Sequence, residues 1–267
     1  MSESLSSYAD DLALLTGAVE AGGAAALARF GTDQKVWQKT EHHPVCEADH
    51  EVDAILHEQL MTARPDYGWL SEETADDGSR LTCKRTWVVD PIDGTNSYLK
   101  NIPEFAVSVA LVETGKPVVA AVFNPANEEL FLASLGGGAR LNGNPIAVTE
   151  ATGETDLHIL ASRSEHREAG WPELFSSCTV RTVSSIAYKF ALVAAGRFDA
   201  TASVWPKSDW DICAGHLLVE EAGGRVTSIG GAPLIYNGEP PRHRTCAASN
   251  GRVHDSVLAR LSDFHKA

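Results

Sequence analysis

Between Trp87 and Glu150 five apolar, β-branched runs follow one another: TWVVD, FAVSVALVE, KPVVAAVFN, ELFLASLG and PIAVTE. Turn signals such as Thr114-Gly115 and Asn142-Gly143 separate them. Short connections of this kind join neighbouring antiparallel strands, so the stretch predicts a meander. Two helices are expected ahead of it. Residues 8–30 are rich in Ala and Leu, with Leu12, Leu15 and Val19 at helical spacing. Residues 49–60 carry Val52, Ile55, Leu56 and Leu60 on one stripe, with Asp49 and Asp53 opposite.

After about residue 150 the pattern alternates. Strand-like LHILAS, a helix over 186–195, strand-like FDATASV, a helix over 211–222 capped by Gly223-Gly224, and a strand in GRVTSI follow in turn. The 267 residues therefore read as an α+β part, 1–150, packed closely on an α/β part, 151–267, with no flexible linker between.

With 22 Lys+Arg against 36 Asp+Glu, the formal charge of −14 repels polyanions and speaks against a nucleic-acid polymer as partner. A small anionic substrate would need local help, which divalent cations held by clustered carboxylates supply. Five cysteines without a C-x-x-C spacing suggest neither a disulfide framework nor a zinc site. The N-terminus lacks the basic start and apolar run of a secretion signal, and no stretch approaches eighteen apolar residues. A soluble protein of the reducing cytoplasm, without a membrane partner, is expected.

The chemistry gathers where TWVV runs into Asp90-Pro91-Ile92-Asp93-Gly94-Thr95. Two Asp carboxylates three residues apart, with the Ile92 carbonyl between them, make a bridging oxygen site for Mg²⁺. Gly94 lets the chain turn close to a ligand, and Thr95 would open a short helix whose free N–H groups face an oxyanion. On the Asp-Gly dipeptide alone, a strand ending in a turn is the commoner reading; the full hexapeptide reverses that. Asp49 and Asp211 could be helix N-caps, and Glu72 and Glu73 solvated charge.

WVVDPIDGTNSY resembles the first signature of the inositol monophosphatase superfamily, which includes inositol monophosphatases, fructose-1,6-bisphosphatases and 3′(2′),5′-bisphosphate nucleotidases. Trp210-Asp211-Ile212-Cys213-Ala214-Gly215, followed by Glu221-Ala222-Gly223-Gly224, is similar to the second, with Cys213 where Ala is usual. Lys39-(x)4-Pro44-Val45-Cys46-Glu47-Ala48-Asp49 and Trp69-Leu70-Ser71-Glu72-Glu73-Thr74 resemble two further segments, with Cys46 in place of Thr or Ser and Ser71 in place of Gly. The resemblance covers roughly residues 39–225. It implies layered helices and sheets, α-β-α-β-α, and two to three Mg²⁺ ions held by Glu72, Asp90, the Ile92 carbonyl, Asp93 and Asp211. It also implies Glu72 and Thr95, oriented by Asp49, activating a water against a phosphate monoester, Gly94, Thr95 and Asp211 touching substrate, and inhibition by lithium. No histidine base is then required, so His42, His43, His166 and His216 are expected to be surface or helix residues.

For the leaving group the resemblance leans toward the bisphosphate nucleotidases, which remove the 3′-phosphate of adenosine 3′,5′-bisphosphate. Lys189 in Ser185-Ile186-Ala187-Tyr188-Lys189-Phe190 stands where those enzymes carry a lysine that could meet a second phosphate, though it could equally snorkel from an apolar helix. Arg163 in Ala161-Ser162-Arg163-Ser164-Glu165-His166 offers a planar fork, and Glu104 to Leu111 is similar to the nucleotidases' version. No Glu stands before Trp210 where inositol monophosphatases offer one to a ring hydroxyl; Asp209 is near but out of step. An inositol-1-phosphate or related sugar or polyol phosphate phosphatase is the alternative, and a non-catalytic metal- or phosphate-binding relic the rival outside enzymes. Relatives include monomers and homodimers, so both remain open.

Overall fold

The computed structural model describes residues 2–40 and 43–266. Its larger sheet has seven strands in the order β3-β4-β5-β6-β7-β8-β9. These are β3 (Gly68–Ser71), β4 (Arg85–Asp93), β5 (Ala106–Glu113), β6 (Lys116–Asn124), β7 (Glu129–Ser134), β8 (Gly138–Leu141) and β9 (Asn144–Pro145). From β4 to β9 every pairing is antiparallel, which is the expected meander, and β3 joins β4 in parallel. The strand expected in PIAVTE stops at Pro145. Beyond it Val148 N–H bonds the Ala222 carbonyl and the Thr149 hydroxyl bonds Asp199, so the chain leaves the sheet to tie into the second half.

Both faces of the meander are covered, which is why its strands read as nearly continuous apolar runs. Trp87, Val89, Val107, Val109 and Leu111 pack with α1 (Ser2–Arg29) and α2 (Glu47–Ala63). Val88, Ala110, Ala120 and Val122 pack with α6 (Ile186–Ala194) and α7 (Asp209–Glu221). Each fully buried Val or Leu stabilises the fold by about 1.5–3 kcal/mol relative to an exposed one. Helices α6 and α7 approach so closely that a Cβ on Gly215 would lie 2.5 Å from Phe190 Cβ. Gly223, with φ +89, follows α7 as its expected stop.

The same two helices rest with their other faces on a second sheet, ordered β11-β10-β12-β16-β14. It comprises β10 (His158–Ala161), β11 (Thr179–Thr182), β12 (Ala200–Ser203), β14 (Arg225–Thr227) and β16 (Cys246–Ser249). Its outer face packs around Trp171, Phe175 and Val257, beside α4 (Arg163–Glu168), α5 (Trp171–Leu174) and α8 (His254–Arg260). The layers therefore alternate α-β-α-β-α, as the resemblance implied. Two short ladders complete the fold, β1 (Val36–Thr40) with β2 (His43–Cys46), and β13 (Lys207–Ser208) with β15 (Arg242–His243).

In α1, Tyr8–Arg29 is by length and mean hydropathy, 1.3, apolar enough to cross a membrane, against the expectation that no stretch would be. Its Ala, Gly and Leu content reaches that value without an unbroken apolar run. Here Leu15, Ala18, Val19 and Ala26 are fully buried in the fold. Asp11, 1% exposed, pairs with Arg64 at 2.7 Å and Arg85 at 3.0 Å, tying α1 to the end of α2 and to β4.

Candidate active site

Side chains three apart on a regular strand point to opposite faces. The β4–β5 ladder resolves this for Asp90 and Asp93: Asp90 pairs with Ser108 and Asp93 with Ala106, so β4 carries one extra residue. That bulge turns both carboxylates toward one point. Asp211, from α7, joins them, and one ligand oxygen from each of the three lies within 4.8 Å of the others. Each carboxylate is steadied by backbone. Asp90 Oδ1 accepts the Ile92 N–H at 3.1 Å, and Asp211 Oδ2 accepts the Ser208 N–H at 2.6 Å. Asp93 Oδ2 accepts both the Ser185 hydroxyl and the Ala187 N–H at 2.6 Å.

Gly94 stands at φ +99, a backbone state other residues rarely adopt, and a Cβ there would lie 2.8 Å from the Glu104 carbonyl. It starts α3 (Thr95–Tyr98), in which the Ser97 and Tyr98 N–H groups both bond the Gly94 carbonyl, at 2.8 and 3.1 Å. The Thr95 hydroxyl lies 3.1 Å from Asp49 Oδ1 and 3.0 Å from the Ile92 carbonyl. Asp49 is not the N-cap of α2 but its third residue. Its Oδ2 accepts the Cys46 N–H at 2.8 Å and the Cys46 thiol at 2.9 Å. Asp211 likewise is third in α7, behind the cap Ser208.

Glu72 follows β3, with Lys39 Nζ 3.2 Å from its Oε1 and 2.6 Å from Glu73 Oε1. Ser71, in the usual place of glycine, puts its hydroxyl to use: it donates to Asp53 and accepts the Glu73 N–H. Burial and crowding of like charge dominate the electrostatics. Asp90 is pushed well above the usual carboxylate range by loss of water, then by Glu72, Asp93 and Asp211. Asp93 rises by burial against the pull of Ser185 and Ala187, Asp49 by burial against Cys46 and Thr95. Asp211 reaches about 7 through burial, offset by Lys207, and Glu73 about 7 through burial, offset by Lys39.

The substrate-side residues lie differently from one another. Arg163 is exposed, and its guanidinium is engaged by Glu104 at 2.6 Å and by the Ser184 hydroxyl at 2.5 Å. Lys189 is 1% exposed on α6, all nine residues of which are buried between the two sheets. Burial lowers its ammonium to about 8, with Glu165 pulling the other way. Asp209 is closed off by His243 Nε2 at 2.8 Å and the Asn237 N–H at 2.6 Å. Of the histidines, His216 is a buried α7 residue bonded to Tyr236 at 2.7 Å, His166 lies in α4, His43 in β2, and His42 falls outside the described residues. Sequence reasoning missed Ser185 and Glu165. Ser185 was legible as a Ser just ahead of a helical run, the ordinary N-cap signal, and it does accept the Tyr188 N–H at 3.0 Å.

The donor set suits a hard divalent cation: oxygen ligands only, three carboxylates converging, each with one oxygen outside the bonds described above. Asp90, Asp93 and Asp211 are the residues that would hold it; Glu72, held by Lys39, and the Ile92 carbonyl, bonded by the Thr95 hydroxyl, are not part of that converging group. Among the described residues no cysteine or histidine joins this group.

Residues 8–267 match the inositol monophosphatase family. An inositol-1-monophosphatase of Rhizobium meliloti is 39% identical over 203 residues, 71% of this chain and 74% of that protein. A histidinol-phosphatase of Mycobacterium tuberculosis is 34% identical over 266 residues, 95% and 98% of the two chains. An IMPase of Thermotoga maritima superposes with a TM-score of 0.85 at 30% identity, covering 96% of this chain and 98% of its own. With the layered fold, the bulged Asp-Pro-Ile-Asp strand and the carboxylate cluster already in place, these likenesses settle kinship: the chain belongs to the inositol monophosphatase family of phosphatases.

Proposed function

We propose that the protein is a Mg²⁺-dependent phosphomonoesterase acting on a small phosphorylated substrate, with adenosine 3′,5′-bisphosphate as the leading candidate. The observation that carries the hydrolytic reading is the convergence of Asp90, Asp93 and Asp211 within 4.8 Å beside the Thr95–Asp49 pair. Mg²⁺ bound there would supply Lewis acidity toward the phosphoryl oxygens and lower the pKa of coordinated water. The remaining work belongs to the chain. Thr95 has one hydroxyl proton and two acceptors, Asp49 and the Ile92 carbonyl; given to Asp49, it leaves the Thr95 lone pairs free to align an attacking water. Glu72 stands at the rim to take up a proton. The Ser185 hydroxyl and the Ala187 N–H hold Asp93 still while charge shifts. A non-catalytic relic would have no use for the Thr95–Asp49 contact.

The nucleotidase reading is supported by the likeness of Glu104 to Leu111 to the nucleotidases' version and by Asp209, which is committed to His243 and so unavailable to a ring hydroxyl. It does not draw on Lys189 or Arg163 as open phosphate contacts, since one is enclosed and the other paired. Inositol 1-phosphate is the second reading, favoured by relatives bearing the name inositol-1-monophosphatase. The test is kcat/KM for phosphate release with Mg²⁺ from adenosine 3′,5′-bisphosphate, inositol 1-phosphate and fructose 1,6-bisphosphate. Turnover of at least one is expected, the first most rapidly, and silence on all three would refute the proposal.

A further inference from the structure

We propose that Lys207 forms an anion subsite beside the carboxylate cluster, through which the protein favours phosphate monoesters whose leaving group carries a second anionic group. The inference rests on the phosphomonoesterase reading and adds to it the feature that selects the substrate.

Of Lys39, Arg163, Lys189 and Lys207, the first three are committed. Lys39 is held by Glu72 and Glu73, Arg163 by Glu104 and Ser184, and Lys189 is enclosed at 1% exposure. Lys207 is half-buried, and among the described residues no hydrogen bond or ion pair takes its ammonium group. It directly precedes Ser208, whose N–H lies 2.6 Å from Asp211 Oδ2, so its backbone borders the carboxylate cluster. Asp211, Lys189 and Cys246 all feel its charge, in keeping with that closeness.

The segment that carries Lys207 is fixed at both ends. At its start Glu165, fully buried, accepts the Ser203 hydroxyl at 2.6 Å, the Val204 N–H at 3.0 Å and the Trp205 N–H at 3.1 Å. At its end Lys207 pairs with His243 in the β13–β15 ladder, and His243 is itself bonded to Asp209. A rigid backbone presenting an unengaged lysine beside a phosphate-hydrolysing centre is the arrangement a pre-organised anion contact requires. A cation held by Asp90, Asp93 and Asp211 would neutralise those carboxylates and leave the Lys207 charge to act on the substrate. A phosphate or carboxylate on the departing alcohol satisfies it, a neutral polyol does not, and an amine is repelled.

A matched pair of esters isolates that charge: adenosine 3′-monophosphate and adenosine 3′,5′-bisphosphate share nucleoside and scissile bond and differ only in the second phosphate. With Mg²⁺, the wild-type protein should favour the bisphosphate by tenfold or more in kcat/KM, chiefly through KM. Lys207→Gln should collapse that preference to within about threefold, Lys207→Glu should invert it, and Lys207→Arg should retain it, which guards against a merely misfolded variant. An unchanged preference in Lys207→Gln, an equal loss on both esters, or wild-type kcat/KM on inositol 1-phosphate matching that on the bisphosphate would overturn the proposal. Mg²⁺-dependent release from inositol 1-phosphate with no preference within the pair removes the subsite alone; no release from any of the three esters removes the phosphatase reading with it.

Discussion

Asp49 and Asp211 occupy the same position in two different helices. Each is the third residue of its helix and accepts the N–H of the cap residue, Cys46 at 2.8 Å and Ser208 at 2.6 Å. Each also faces the site, Asp49 through Thr95 and Asp211 through the carboxylate cluster. The helix N-terminus therefore does two things at once, fixing the carboxylate and offsetting part of its charge.

One consequence concerns Asp211→Asn. The amide oxygen can still accept the Ser208 N–H, while one of three crowded charges disappears. Metal-free variant protein should unfold at a higher temperature than wild type, by about 1 kcal/mol of stability, because buried like charges repel. Its Mg²⁺ requirement for turnover should rise at least tenfold. Thermal melts in EDTA and a Mg²⁺ titration check both halves, and a destabilised variant would count against the crowding.

The pH dependence follows from the same residues. Asp211 has a folded pKa of about 7, above its ordinary 3.8, so the stability this group allows is fully present below 3.8 and is lost as pH rises through 7. Asp90 and Asp93 shift in the same direction. Metal-free protein should lose on the order of 5 °C in Tm between pH 5.5 and 8, and Mg²⁺ should restore it, most strongly at the alkaline end. A Tm that climbs over this interval without metal would contradict the assignment.

Gly94→Ala probes the turn. With φ at +99 and the Glu104 carbonyl 2.8 Å from the new Cβ, the substitution should cost about 1–3 kcal/mol and shift Thr95 off Asp49. Melts should show the loss, and kcat should fall further than the melting data alone explain. A variant with wild-type kcat would mean that the tight turn does not position Thr95.

Much of this site is visible in the chain itself, because Asp90, Asp93, Thr95 and Asp211 sit in local motifs whose chemistry can be read residue by residue. What makes Asp90 and Asp93 converge is not local. Their spacing of three would set them on opposite faces, and only the register against Ser108 and Ala106 shows the bulge that reconciles them. Lys189 is a second case. The alternatives for it, snorkelling outward or meeting a phosphate, both assumed an open side to α6, but the helix lies between two sheets and has none. The end of β9 at Pro145 was hidden for a similar reason: Val148 leaves the meander for a bond to Ala222, 74 positions further along the chain.

The account turns on whether Asp90, Asp93 and Asp211 form a metal-dependent hydrolytic centre. The most direct measurement is phosphate release from adenosine 3′,5′-bisphosphate and inositol 1-phosphate by wild type and Asp93→Asn, each with Mg²⁺ and after chelation. Wild-type release that requires Mg²⁺, with a loss of at least about 10³-fold in a variant of unchanged circular dichroism, is the predicted result. Release that persists after chelation, or that survives in Asp93→Asn, would contradict it.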